Sequence, residues 1–206
     1  MRSLLVLLIY MSCFSVFAQK HIEKHINNAG ISTVYINGNT CYKIHVTTKK
    51  SESMAIKTRI AGEHYEDMMI ISEQKSDTLF IRSGFHPLFT ADNDKLSAHK
   101  VMSIEMEVEL PEHLNLYVHS DIGLVEVIGQ YNNAILELRD GSCSLYHFQG
   151  NARVNTVNGD IKVETNYTKV TAESRHGILL LSPLVPGQNE IMLKSIHGDI
   201  SVYKTE

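Results

Sequence analysis

Tryptophan is absent from this 206-residue chain, aromatic residues make up 7% of it, and proline occurs only four times and cysteine three. Without tryptophan, and with few rings in the carboxyl-terminal half, a carbohydrate site built from stacked aromatic platforms is disfavoured. Charge of one sign is also lacking: 19 Lys and Arg are interspersed with 23 Asp and Glu, for a formal net charge of −4. That balance is not the basic footprint of a nucleic-acid binder, so no nucleic acid is expected as a partner. There is no Gly-x-Ser-x-Gly elbow, no His-Glu-x-x-His and no phosphate loop, and helix-period patterns are nearly absent.

The longest apolar run stands at the start. Arg2 supplies a positive charge, Leu4 to Ile9 an unbroken apolar core, and Val16-Phe17-Ala18 a small-residue exit before Gln19, so residues 1–18 are expected to be a cleaved export signal. Ser12 and Ser15 interrupt the run, and it falls short of the roughly 20 residues a spanning helix needs. Cys13, after Tyr10-Met11-Ser12, offers a lipid-anchoring alternative, but the residues before it fit that role poorly. The mature chain is therefore expected in the periplasm, in the outer membrane or at the cell surface. Its cysteines, Cys41 and Cys143, allow at most one internal disulfide.

Glycines at 123, 141 and 159 lead to Gly177 in steps of eighteen, and Gly198 follows after twenty-one. Fixed spacing marks a solenoid. The longer step contains Leu184-Val185-Pro186-Gly187 after Pro183, which reads as a three-residue loop insertion. Side-chain chemistry repeats in register with the glycines. Seven residues before each stand Leu116, Ala134, Ala152, Val170 and Ile191; five before stand Val118, Leu136, Val154, Ala172 and Leu193. Two after come Val125, Cys143, Ile161, Leu179 and Ile200; four after come Val127, Leu145, Val163, Leu181 and Val202. Columns between them are mixed, as in His119, Glu137, Asn155, Glu173 and Lys194. Apolar alternating with mixed has period two, so each coil is expected to contribute two short strands, one face inward, stacked in parallel in sequence order. The glycines, and the residues before them (Ile122, Asp140, Asn158, His176, His197), are expected at a bend with positive φ.

The fold class expected is all-β: a parallel β-solenoid over 116–206, capped by β-rich irregular coils or a sandwich-like unit over 19–115. In the latter, segments 34–36, 43–47, 56–60, 68–72, 78–83 and 103–110 carry strand patterns, and 86–99 reads as a surface loop.

These features resemble the bacterial adhesin families that include the head-GIN domain proteins. The likeness lies in Leu110-Pro111 leading into Leu114-Asn115-Leu116-Tyr117-Val118, in Ser120 to Gly123, in Asn158-Gly159-Asp160-Ile161-Lys162-Val163 and in His197-Gly198-Asp199-Ile200-Ser201-Val202. It implies a parallel β-helix exported to the envelope, with no catalytic residues to carry over.

Candidate chemistry is sparse, and no catalytic residue and no cofactor are expected. His176 and His197 share the pre-glycine column and are the only pair considered for a divalent metal, but no third ligand is fixed nearby and turn residues are the plainer interpretation. Asp160 and Asp199, in Gly-Asp-Ile, resemble calcium-binding β-rolls only faintly. Cys143 falls in an inward column, so a bond to Cys41 is not expected. Asn166-Tyr167-Thr168 matches a glycosylation acceptor and reads as a turn. Leu124 with Ile178, Ile135 with Met192, and Leu180 leave apolar spots outside, suited to a ligand patch, the amino-terminal half or a second copy. The function expected is that of a non-enzymatic envelope scaffold or adhesive surface whose partner is an envelope protein or glycan. A carbohydrate-active lyase or esterase on the same fold is the alternative, and a sensory accessory a third.

Overall fold

The computed structural model describes residues 19–90 and 102–205, so the expected export signal and Cys13 lie outside the described residues. The chain forms β1 (Gln19–Asn27), β2 (Thr33–Asn37), β3 (Lys43–Lys49), β4 (Ser53–Gly62), β5 (Met68–Lys75), β6 (Thr78–Phe85), β7 (Met102–Pro111), β8 (Asn115–Ser120), β9 (Leu124–Leu138) and β10 (Cys143–Thr156). It continues through β11 (Ile161–Thr165), β12 (Thr168–Ser174), β13 (Leu179–Leu181), β14 (Asn189–Ser195) and β15 (Ile200–Lys204); a 3-10 turn at Tyr65–Asp67 stands before β5. The fold is all-β, as the period-two patterning predicts. The fifteen strands make one sheet that wraps around a single core and nearly closes on itself.

The sheet has two walls. The first runs β1-β4-β7-β3-β9-β10-β11-β15-β13, and the second β5-β6-β2-β8-β9-β10-β14-β12. β9 and β10 belong to both, because each bends from one wall to the other at residues with positive φ: Gly129 at 110°, His147 at 47° and Gly150 at 130°. The pairing follows the predicted columns. Val125 lies beside Cys143 and Cys143 beside Ile161, while Leu116 lies beside Ala134 and Ala134 beside Ala152. The columns also extend where the sequence did not reveal them, since Val34 and Ile36 join Leu116 and Val118, and Ile44 and Val46 join Val125 and Val127. Before that rung the pairing turns partly antiparallel, with β4 between β1 and β7 and a β5–β6 hairpin turning at Ser76.

Three expectations are corrected. First, the rungs do not stack in sequence order. Ile161 pairs with Ile200, and Ile200 with Leu179; Ala152 pairs with Ile191, and Ile191 with Val170. The last stretch of chain is thus inserted inboard of the one before it. At Asn166 and Tyr167 the chain steps past the level that β14 fills, and the 182–188 segment, which reads as a mere loop in sequence, brings it back.

Second, Leu179 and Leu181 are not buried. They are 43% and 49% exposed, whereas Ile200 and Val202, one rung inboard, are 0% and 1%. The exchange of rungs puts the two leucines at the end of the stack, where no further described strand pairs beside them.

Third, neither the repeat glycines nor the residues before them have positive φ. The glycines are needed for close approach instead. A Cβ on Gly141 would lie 1.8 Å from the carbonyl oxygen of Gly123, one on Gly159 1.9 Å from that of Gly141, one on Gly198 2.1 Å from that of Gly159, and one on Gly177 2.1 Å from that of Gly198. This glycine ladder repeats the exchanged order. Hydroxyls three residues ahead tie the corner: Ser120, Ser174 and Ser195 accept the amides of Gly123, Gly177 and Gly198 at 2.9–3.0 Å, and Thr156 donates to the Gly159 carbonyl at 2.6 Å.

Candidate functional site

Outward side chains on parallel strands pile into rows along the stack. On the second wall one row runs Phe80, Tyr35, Tyr117, Ile135, Arg153, Met192, and the next runs Asn37, His119, Glu137, Asn155, Lys194, Glu173. Tyr35 and Tyr117 stack with centroids 4.8 Å apart, and Phe80 meets Tyr35 at 5.5 Å. The sequence reading missed this trio, because Phe80 and Tyr35 come from strands whose register the repeat did not reveal.

The second row forms one side of an open groove of about 620 Å³. Its other side is the corner row two residues on, including Asp121, Arg139, Val157, Arg175 and Ile196. Both signs of charge face the groove. Tyr117 donates its hydroxyl to Glu137, and that bond, ahead of burial, pushes the phenol up to about 12. Lys194 lies 3.1 Å from Glu173, and Arg139 lies 3.7 Å from Asp121 and 3.0 Å from Asp140. On the first wall too, charges pair across neighbouring strands: Arg59 with Glu105 at 2.7 Å, Lys43 with Glu126 at 3.0 Å, Lys49 with Glu109 at 2.8 Å. A hydrogen bond from Lys49 holds the Glu109 carboxyl below its usual range.

His176 and His197 do come together. Their rings stack with centroids 5.0 Å apart and planes 13° from parallel. Imidazole lone pairs lie in the ring plane, so two parallel stacked rings direct them side by side and not to one point. Among the described residues no cluster of three or more His, Cys, Asp or Glu is arranged to hold a metal. Asp160 and Asp199 serve the backbone of the next rung: Asp160 Oδ1 accepts the Asp199 amide at 2.8 Å, and Asp199 Oδ1 accepts the Ile178 amide at 2.7 Å. Asn166 is a turn anchor, its Oδ1 accepting the amides of Tyr167 and Val185. Cys41 and Cys143 are buried free thiols, which burial pushes up to about 12.

The apolar spots read from the sequence do not make one patch. Leu124 and Ile178 lie several rungs apart, and Arg153 stands between Ile135 and Met192. Ile178 and Leu180, 72% and 54% exposed, instead join Leu179 and Leu181 at the stack end. Among the described residues no helix is long and apolar enough to cross a membrane.

The two-walled sheet has a counterpart among solved structures. The chain shares its fold with a candidate cell adhesion protein from Clostridium sporogenes. The two superpose with a TM-score of 0.66 over 91% of this chain and 100% of that one, at 13% identity. Looser likenesses include a candidate adhesin from Bacteroides fragilis (13% identical, 89% of this chain and 97% of that one, TM-score 0.39). A candidate lipid-binding protein from Parabacteroides distasonis is similar in the same loose sense (12% identical, 91% and 97%, TM-score 0.32). At such identities the likeness to the clostridial protein establishes the fold alone. No protein-family model matches the chain, and no curated protein matches it in sequence.

Proposed function

We propose that this protein is a non-enzymatic module of the bacterial envelope or cell surface, exported by residues 1–18, that holds an envelope protein or glycan along the groove of its second wall. Its architecture is taken as a short β-solenoid with the last two rungs exchanged and the strands before residue 115 as its cap. Parallel pairing at eighteen-residue steps from Val125 to Ile161 supports that architecture.

One observation carries the function: the groove offers a regular, mixed-charge surface whose carboxylates are already engaged. Glu137 accepts the Tyr117 hydroxyl, Glu173 faces Lys194 and Asp121 faces Arg139, so these groups serve the rows and are not poised for proton transfer. Interspersed signs suit a polar protein surface or a neutral glycan better than a polyanion. The fold shared with a candidate cell adhesion protein fits the same role. A glycan-cleaving enzyme is the second reading, favoured by the groove's run across several rungs; turnover of envelope polysaccharides in a degradation screen would establish it.

The test is site-specific photo-crosslinking in the producing cell. A photoreactive residue at Asn155, in the groove, should give a discrete adduct that the same residue at Ser144, on the first wall, does not. Equal labelling from both positions, or none from Asn155 together with no retention of envelope glycans on the immobilised protein, would refute a groove-based role.

A further inference from the structure

The two ends of the stack are finished differently. At the amino-terminal end, β1 turns Lys20 and Lys24 inward, where Lys20 donates to the carbonyls of Glu66 and Met68 at 2.6 and 2.8 Å and Lys24 to that of Ile70 at 2.5 Å. Inward charges of this kind block edge-to-edge pairing. At the other end β12 and β13 carry no such device. Among the described strands each pairs on one side only, β12 with β14 and β13 with β15. Pro183 and Pro186 sit in the return segment and in neither edge strand, so neither edge has lost a donor to proline. Between the two edges lie Val170 and Ala172, half-buried, and Leu179 and Leu181, exposed.

We propose that this end is a dimer interface closed by a second copy of the chain through antiparallel β12–β12 and β13–β13 pairing. One two-fold axis, crossing the core between Thr171 and Leu180, brings both strands against their own copies, as a closed isologous contact requires.

The sequence of β12 supplies the reason for choosing this partner. Its outward residues are Lys169, Thr171 and Glu173, with the neutral residue at the centre. Antiparallel pairing about Thr171 sets Lys169 opposite Glu173 of the partner subunit, and does so twice by symmetry. The same register faces Val170 with Ala172 of the partner subunit on the core side. In β13, Leu179 faces Leu181 of the partner subunit about Leu180. Charge and apolar matching therefore agree on one register. Lys169 and Glu173 are both well exposed, and their contacts with Glu190 at 3.5 Å and Lys194 at 3.1 Å are surface ones.

Sedimentation velocity of the mature protein from about 1 to 100 μM should show a monomer–dimer equilibrium. Lys169→Glu and Glu173→Lys each place like charges across both symmetric pairs and should weaken the dimer at least about tenfold. The double reversal restores opposite charges only between subunits, because Glu190 and Lys194 are unchanged, and should recover the dimer. Leu180→Lys should give monomer, while Leu88→Lys, exposed elsewhere, should not. A monomer throughout the range, or single reversals without effect, would overturn the interface; weakening that the double reversal fails to rescue would overturn this register. None of these outcomes depends on the groove's ligand.

Discussion

Replacing Gly159 with alanine isolates what the repeat glycines do. The new Cβ would lie 1.9 Å from the Gly141 carbonyl oxygen and 2.5 Å from its carbon, against an ordinary contact of 3.4 Å or more. Both neighbours are backbone, so neither can rotate away. Relief needs a local opening of about 1.5 Å between strands that normally lie about 4.8 Å apart. The bonds beside the contact, Cys143 N to Asp160 O and Asn158 N to Arg139 O, are each 2.8 Å, and an opening of that size breaks them. Two backbone bonds between rungs, with their groups left unsatisfied, cost about 3–4 kcal/mol. At about 2–4 °C per kcal/mol for a chain of this size, Tm should fall by about 10 °C. Gly84→Ala is the control, because its Cβ would meet only side-chain ends at 3.4 Å and its φ is not positive. Thermal unfolding followed by circular dichroism measures both. If Gly159→Ala melts within about 2 °C of the parent, close approach is not why glycine is there.

Two further perturbations follow. Both thiols are pushed up to about 12 from 9.0 by burial, so the native state keeps its full stability below pH 9 and loses it as rising pH ionises the unfolded chain, by about 1.4 kcal/mol per thiol at pH 10. Denaturant titrations should therefore show a shallower fall between pH 8 and 10 for the Cys41→Ala, Cys143→Ala double variant, and unchanged slopes would count against this origin. Lys20→Met with Lys24→Met removes the inward charges of β1 and should produce concentration-dependent association visible by light scattering, whereas a variant that stays as dispersed as the parent would show that other features protect that end.

The strand positions were legible because burial acts on each rung separately. Val34 to Ile36 and Ser103 to Leu110 alternate as half-buried strands must, and they are strands. The inward columns were equally readable, since Val125, Cys143 and Ile161 need only be apolar to stack. β1 went unread: its inward positions are Lys20, Ile22, Lys24 and Ile26, and two of these four break the apolar alternation by which a strand is found. Of the candidate site, the row from His119 to Lys194 was visible as a mixed column. The aromatic row beside it, through Tyr35 and Phe80, depends on pairings more than forty residues distant.

Rung order is a different kind of information. A column of apolar residues has the same burial whichever two rungs are exchanged, so Ile191, Leu193, Ile200 and Val202 fit inboard of Val170, Ala172, Leu179 and Leu181 as well as outboard. The hydrophobic pattern is blind to the exchange, and the glycine ladder is nearly so, because every member is glycine. What distinguishes the two orders is the connections. Sequential winding would take the shortest path from β13 to β14, yet the chain spends Ser182 to Gln188 returning inboard, with Gly187 so close to the Tyr167 carbonyl that a Cβ there would lie 1.7 Å away. An insertion at a constant corner can therefore mark a crossover as readily as a bulge in the loop. The exchange also determines which rung is left open. Sequential order would leave β14 and β15 outermost; the order found leaves β12 and β13, whose lysine, threonine and glutamate are spaced for self-pairing. The same crossover that hid the topology from the sequence thus selects the edge that a second copy can cover.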